Sequence, residues 1–249
     1  YPTNKVRFFV NKENVLSSGV VKKENENLIV DYIDIDLPKS GLYKNQILML
    51  DILSKNDWER PIYFTGGSYK DSEYLWMKDY LQLDGLVYKL VPIKTPLNPD
   101  NPYQMGRIDP NNMYKIVKKW QWGNSESDKI YHDPETRKNS ITFRSNLHRL
   151  AEEFISLGDY DKANEILDLS FEKLPIEYFG YYSLSEPYID SYYKLGKIKK
   201  GRELFKIIEE KYHDQINYYS KSMLYNENSF DLESYAENIF TYNERLRGL

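Results

Sequence analysis

The side chains best equipped for chemistry are three histidines, a pair of carboxylates and a glycine-rich loop. His132, His148 and His213 never fall at the i, i+4 spacing with which two ligands share a metal on one helix face. His148 and Glu152 have that spacing, but no third ligand accompanies them, and a solvated helix-surface contact accounts for the pair. Asp34-Ile35-Asp36 matches the Asp-x-Asp with which sugar-nucleotide transferases hold a divalent ion against a diphosphate. Ile33, Ile35 and Leu37 alternate with those carboxylates, however, which is the pattern of a half-buried strand. Gly66-Gly67-Ser68 follows a strand pattern and precedes a helical one, the setting of a nucleophile elbow, but Lys70 stands where the last glycine is required. A turn is the simpler reading. The same loop, with its backbone N–H groups and Lys70, is also a candidate cradle for an anion or sugar hydroxyls. Glycine-rich nucleotide cradles are absent. Cys is absent too, which excludes thiolate zinc sites, cysteine nucleophiles and disulfides. No catalytic residue, metal or cofactor is expected, and the chain alone reads as no enzyme.

The elements that must position these residues come from a chain of 249 residues, 41% hydrophobic and 29% charged, enough for one large domain or two modest ones. Lys plus Arg is 34 against Asp plus Glu 38, so nothing supplies the positive field a phosphate backbone needs, and nucleic acid is not an expected partner. The longest apolar stretch, 47–53, is broken by Asp51 and falls far short of the ~20 residues of a spanning helix. The opening Tyr1-Pro2-Thr3-Asn4 has neither an initiator Met nor a signal pattern, so a processed product or a fragment is expected, with any membrane anchor outside it. Twenty-four Tyr and four Trp suit wet sugar or peptide grooves.

Over 1–93 the pattern predicts an α+β domain, a small mixed sheet with helices: strands at 6–10, 33–37, 61–65 and 86–91, a helix over 43–55 and a short one over 71–80 begun by Asp71. Residues 94–139 read as a Pro/Asn-rich linker carrying one helix, 110–120, announced by Asp109-Pro110. From 140 to 249 only helical periodicity remains. The segment 149–163, with Ala151, Gly158, Asp159 and Ala163, followed by Leu167 and Pro175, resembles the tetratricopeptide repeat. A second copy over 188–205 places Gly196 38 residues after Gly158 (196 minus 158), with Ile189 where a small residue is usual, and a capping pair is expected near 214–224 and 231–246. The resemblance implies an all-α repeat domain whose groove is lined by Ser145, His148, Glu152, Ile155 and Ser156, then Ser183, Glu186, Asp190, Tyr193 and Lys194. That face is mainly polar and acidic, favouring a basic or hydroxyl-rich peptide or glycan. A helical buttress is the plainer alternative.

Two further segments, 50–64 with Trp58, Arg60, Pro61 and Tyr63, and 80–93 with Leu83-Asp84-Gly85-Leu86, carry a second resemblance. They are similar to the soluble C-terminal region of a bacterial multi-spanning membrane family of unknown function, itself similar to protein O-mannosyltransferases, with a tetratricopeptide-like tail. The resemblance implies a non-catalytic domain of a membrane-embedded, glycosyltransferase-like protein, at the extracytoplasmic, periplasmic face of the inner membrane, attached to the membrane through a part not included and binding acceptor polypeptide, glycan or a protein partner; any glycosyl transfer is expected of the parent protein. A free-standing tetratricopeptide scaffold or a secreted glycan-binding protein is the alternative. Trp58 and Arg60 are expected to clasp the junction between helix and strand, Trp58 buried and Arg60 over a ring or beside an acid.

Overall fold

The computed structural model describes residues 4–37, 41–65, 77–96, 104–225 and 229–248. The chain divides into two compact units, Tyr1–Trp120 and Gln121–Leu249.

In the first unit, β1 (Lys5–Phe9) pairs antiparallel with β2 (Tyr32–Asp36), Val6 opposite Ile35 and Phe8 opposite Ile33. Period-two alternation sends Ile33 and Ile35, both fully buried, into the core and leaves Asp34 and Asp36 on the other face. There Arg7 grips Asp34 with two hydrogen bonds, 2.7 and 2.9 Å, and Lys5 reaches Asp36 at 3.3 Å. The Asp-x-Asp pair is thus occupied by cross-strand cations. Between the strands, α1 (Lys12–Ser17) starts at Asn11, whose side chain accepts from Asn14 N. A 13-residue α2 (Lys44–Asn56) ends where Asp57 and Trp58 both take positive φ, 41° and 63°. The next strands, β3 (Tyr63–Thr65), β4 (Leu81–Asp84) and β5 (Val87–Leu90), form a second sheet in the order β3-β5-β4.

Both sheets are antiparallel, so the single mixed sheet expected from sequence is replaced by two, and β4 is a strand the periodicity did not mark. The two-residue loop Gly85-Leu86 explains the pairing. Gly85 takes φ +72° in first position, as the tightest hairpin connections require. The helix expected over 71–80 lies largely outside the described residues, and its described end, Lys78–Tyr80, is a 3-10 turn. The helix expected in a linker, α3 (Pro110–Val117), instead packs in the first unit: Asp109 caps it, Met113 and Val117 are buried, and a Cβ on Gly85 would meet Ile116 at 3.0 Å and Trp120 at 3.1 Å.

The second unit is helical. α4 (Pro134–Ser156) begins on Asp133 and Pro134, the signal that also opens α3, six residues earlier than expected (140 minus 134). α5 (Tyr160–Lys173) follows after Gly158 at φ +76°, with Asp159 capping it. Ala151 and Ala163 are fully buried where the two helices meet. After the short α6 (Ile176–Phe179) and a 3-10 turn, α7 (Glu186–Lys194) pairs with α8 (Ile198–Tyr225) across Gly196 at φ +69°. Ile189 is accommodated there, 5% exposed, and the close approach falls elsewhere: a Cβ on Gly201 would sit 2.8 Å from the Tyr193 ring. α8 runs unbroken through Asp214, so the expected separate helix over 214–224 is its second half, and α9 (Ser229–Gly248) packs along it.

Candidate functional site

Helical spacing places His148 and Glu152 of α4 on one face, and α7 brings Asp190, Ser191 and Lys194 toward it. His148 Nε2 lies 3.0 Å from Ser191 Oγ, Ser191 donates to Glu152 Oε1 at 2.6 Å, and Lys194 Nζ holds Glu152 Oε2 at 2.8 Å. A Ser, a His and a carboxylate in mutual reach invite comparison with a nucleophilic triad. The distances favour the other direction: the acceptor closest to Ser191 Oγ is the carboxylate, at 2.6 Å, Pro187 O offers a second at 3.1 Å, and Ser191 is fully buried. In a nucleophile the hydroxyl proton goes to the imidazole and the oxygen opens on substrate. This set therefore ties α4 to α7. Burial pulls the His148 pKa below its ordinary value despite the pull of Glu152 in the other direction. Burial pulls Glu152 up, but hydrogen bonds from Lys194 and Ser191 outweigh it and hold the carboxyl below its usual range.

Glu186 points elsewhere. It accepts the Tyr212 hydroxyl of α8 and two contacts from Arg245 Nη1 of α9, 3.1 and 3.2 Å, so it fastens three helices. Ser145, Ser183 and Ile155 are half-buried, and exposed Ser156 donates to Glu153 O in its own helix. Tyr193 rests its ring on Gly201. Of the expected groove residues the structure thus gathers His148, Glu152 and Lys194. Lys194 and Arg245 offset two of its carboxylates, leaving exposed Asp190 with no cation paired to it among the described residues.

Behind this face lies a polar set that sequence reasoning missed. Arg144 is fully buried, donates to Leu174 O at the end of α5 (2.5 Å) and to Ser185 Oγ (3.3 Å), and lies over the Phe171 ring. Tyr188 donates to Arg144 O at 2.6 Å and sits 3.0 Å from Ser170 Oγ. The signal was available: Ser140, Arg144, Leu147, Ala151 and Phe154 form one buried stripe on α4. His132 is buried against Tyr178 and Phe179, and neither of its ring nitrogens meets a partner among the described residues.

In the first unit Trp58 is 8% exposed, packs in the core with Ile33 and Leu90, and donates Nε1 to Phe9 O at 3.3 Å. Arg60 is exposed, and among the described residues neither an acid nor a ring is paired with it. Pro61 is also exposed, and Tyr63 is half exposed opposite Lys89. The two motif segments therefore meet in one sheet, β3 of the first pairing with β5 of the second. Their shared face carries a buried ion pair, Lys89 to Asp84 at 3.0 Å, with Asp84 also accepting from Gln82 and Asn112, and Gln82 accepting from Arg107. The Tyr63 hydroxyl is pushed up by burial and then by Asp84.

The loop candidate Gly66, Gly67 and Lys70 lies outside the described residues. Among the described residues, no group of three or more His, Asp or Glu is placed to hold a metal, and no helix is long and apolar enough to cross a membrane. No curated protein and no solved structure matches the chain. Residues 1–112 match the family model of TMEM260-associated domain 2, a likeness that suggests a membrane-protein family for the unit in which the two motif segments pair.

Proposed function

We propose that this chain is a non-catalytic, extracytoplasmic domain of a membrane-embedded, glycosyltransferase-like protein, and that its helical unit, a tetratricopeptide-like array, binds acceptor polypeptide. One observation carries the reading: the match of residues 1–112 to TMEM260-associated domain 2, in a chain whose described helices hold no spanning segment. The site geometry supports the non-catalytic part. Among the described residues, the Ser, His and carboxylate set joining α4 to α7 has a fully buried hydroxyl that lies closer to the carboxylate than to the imidazole. The helix pairs α4/α5 and α7/α8, each turning on a positive-φ glycine, support the repeat reading.

Placement is tested by exploiting the absence of Cys. Ser156→Cys, at an exposed helix end, is introduced into the parent protein and treated in intact cells with a membrane-impermeant maleimide. Labelling of that peptide is expected without permeabilisation; labelling only after permeabilisation would falsify the placement. Binding is tested by titrating the purified chain with a panel of basic, neutral and acidic peptides and with neutral oligosaccharides. Saturable binding of oligosaccharides alone would replace polypeptide by glycan in this reading.

A further inference from the structure

The His148, Glu152, Ser191 and Lys194 side chains are engaged with one another, but a concavity of about 240 Å³ opens between α5, α6, α7 and α8. Phe171, Tyr192, Leu204 and Ile207 form its floor. Its volume lies below the ~300–1,000 Å³ of sites that enclose a whole small-molecule ligand, and it suits one large side chain of a longer partner. The floor offers sugar hydroxyls little, because the Tyr192 hydroxyl is already committed to Asp168 at 3.1 Å. The rim carries Lys200, Glu177 and Glu203. Both Asp168 oxygens hold Lys200, at 2.6 and 2.7 Å, which neutralises that cation. Glu177 is exposed with no cation within ion-pair distance among the described residues, its charge acting at longer range on buried Arg144, and Glu203 has Lys199 at 3.8 Å, both side chains well exposed. The groove is thus apolar below and anionic at its edge.

We propose that this groove receives an aromatic or branched aliphatic side chain of a polypeptide, flanked in that polypeptide by Lys or Arg that face Glu177 and Glu203. This rests on the polypeptide-binding reading above and gives it a place and a sequence preference. Complementary rim charge selects the partner and speeds encounter, while the anchor in a desolvated pocket holds it.

The test uses the full chain and three synthetic Gly/Ser-flanked peptides whose central residues are Lys-Phe-Lys, Glu-Phe-Glu and Lys-Ser-Lys, titrated by calorimetry. Only the first is expected to bind measurably. Ile207→Asp should abolish its binding, and Glu177→Gln with Glu203→Gln should weaken it about tenfold and remove most of its salt dependence. Glu177 and Glu203 are exposed and Ile207 is half-buried, and helical circular dichroism checks that each variant keeps its fold. Equal affinity for Lys-Phe-Lys in wild type and Ile207→Asp, with the fold intact, overturns the groove and leaves the polypeptide-binding reading standing. Absence of binding by every peptide of the broader panel overturns both, and preference for Glu-Phe-Glu overturns the charge assignment.

Discussion

A buried imidazole always carries at least one N–H, and His132 places it where no acceptor stands among the described residues. Leaving such a group unsatisfied costs about 1–3 kcal/mol, whereas its ring surface is well used against Tyr178 and Phe179, 5.9 and 4.7 Å between centroids. His132→Phe keeps the stacking and removes the polar cost, so thermal unfolding should move upward by an amount on the order of 1 kcal/mol; a lowered melting temperature would show that a nitrogen there is engaged. Trp58 presents the opposite case. It is large, buried, hydrogen-bonded through Nε1 and held at φ 63°, so truncation opens a cavity in the core between the two sheets' strands. Trp58→Ala should cost about 3–5 kcal/mol, and Trp58→Phe much less, about the worth of one hydrogen bond. Equal losses in chemical denaturation for the two variants would contradict this account.

At the scale of elements, what holds α4 to α7 is a chain of hydrogen bonds that responds to acid. His148 faces Glu152 on its own helix and Asp190, Ser191, Lys194 and the Tyr188 ring on α7. Its folded pKa lies below the ordinary value of about 6.5, so in that window the unfolded chain binds more protons than the folded one, and stability falls as pH drops below about 6.5. Glu152, also lowered, adds a second loss with the same sign at lower pH, as the carboxyl protonates and releases Lys194. His148→Gln keeps a donor toward Ser191 and removes the titration, so melting temperature measured from pH 7 to 5 should fall less steeply than in wild type; parallel curves would remove His148 from the tie. The sequence showed this pair at i, i+4 but not Ser191, because a small hydroxyl carries no periodic signal and its importance depends on which helix arrives opposite. The same limit hid β4, whose Leu81 and Leu83 alternate with Gln82 and Asp84 too briefly to announce a strand until β5 pairs with it. By contrast α3 and the glycine turns at Gly158 and Gly196 were legible, because caps and positive-φ positions are set locally. Asp133-Pro134 shows that the same local signal is easily overlooked inside a stretch of polar residues.

For the molecule as a whole, the division at Trp120 and Gln121 matters more than any single site, since it decides whether the unit matched to TMEM260-associated domain 2 and the helical unit can be studied apart. Each unit is long enough to bury its own core. The first does so around Ile33, Ile35, Trp58 and Leu90, the second around Leu147, Leu150, Phe154 and Ile166, all 8% exposed or less. Cooperative unfolding follows core contacts, so units with separate cores unfold in separate transitions. Calorimetry of the intact chain should therefore show two components. Trp58→Ala should shift one and Leu150→Ala, which empties a fully buried site at a cost of about 2–5 kcal/mol, should shift the other. Residues 121–249 expressed alone should retain the helical circular dichroism and the transition that Leu150→Ala moves. A single transition displaced by both substitutions would mean that the two cores fold as one, and the helical unit would then have to be assayed for polypeptide binding only within the full chain.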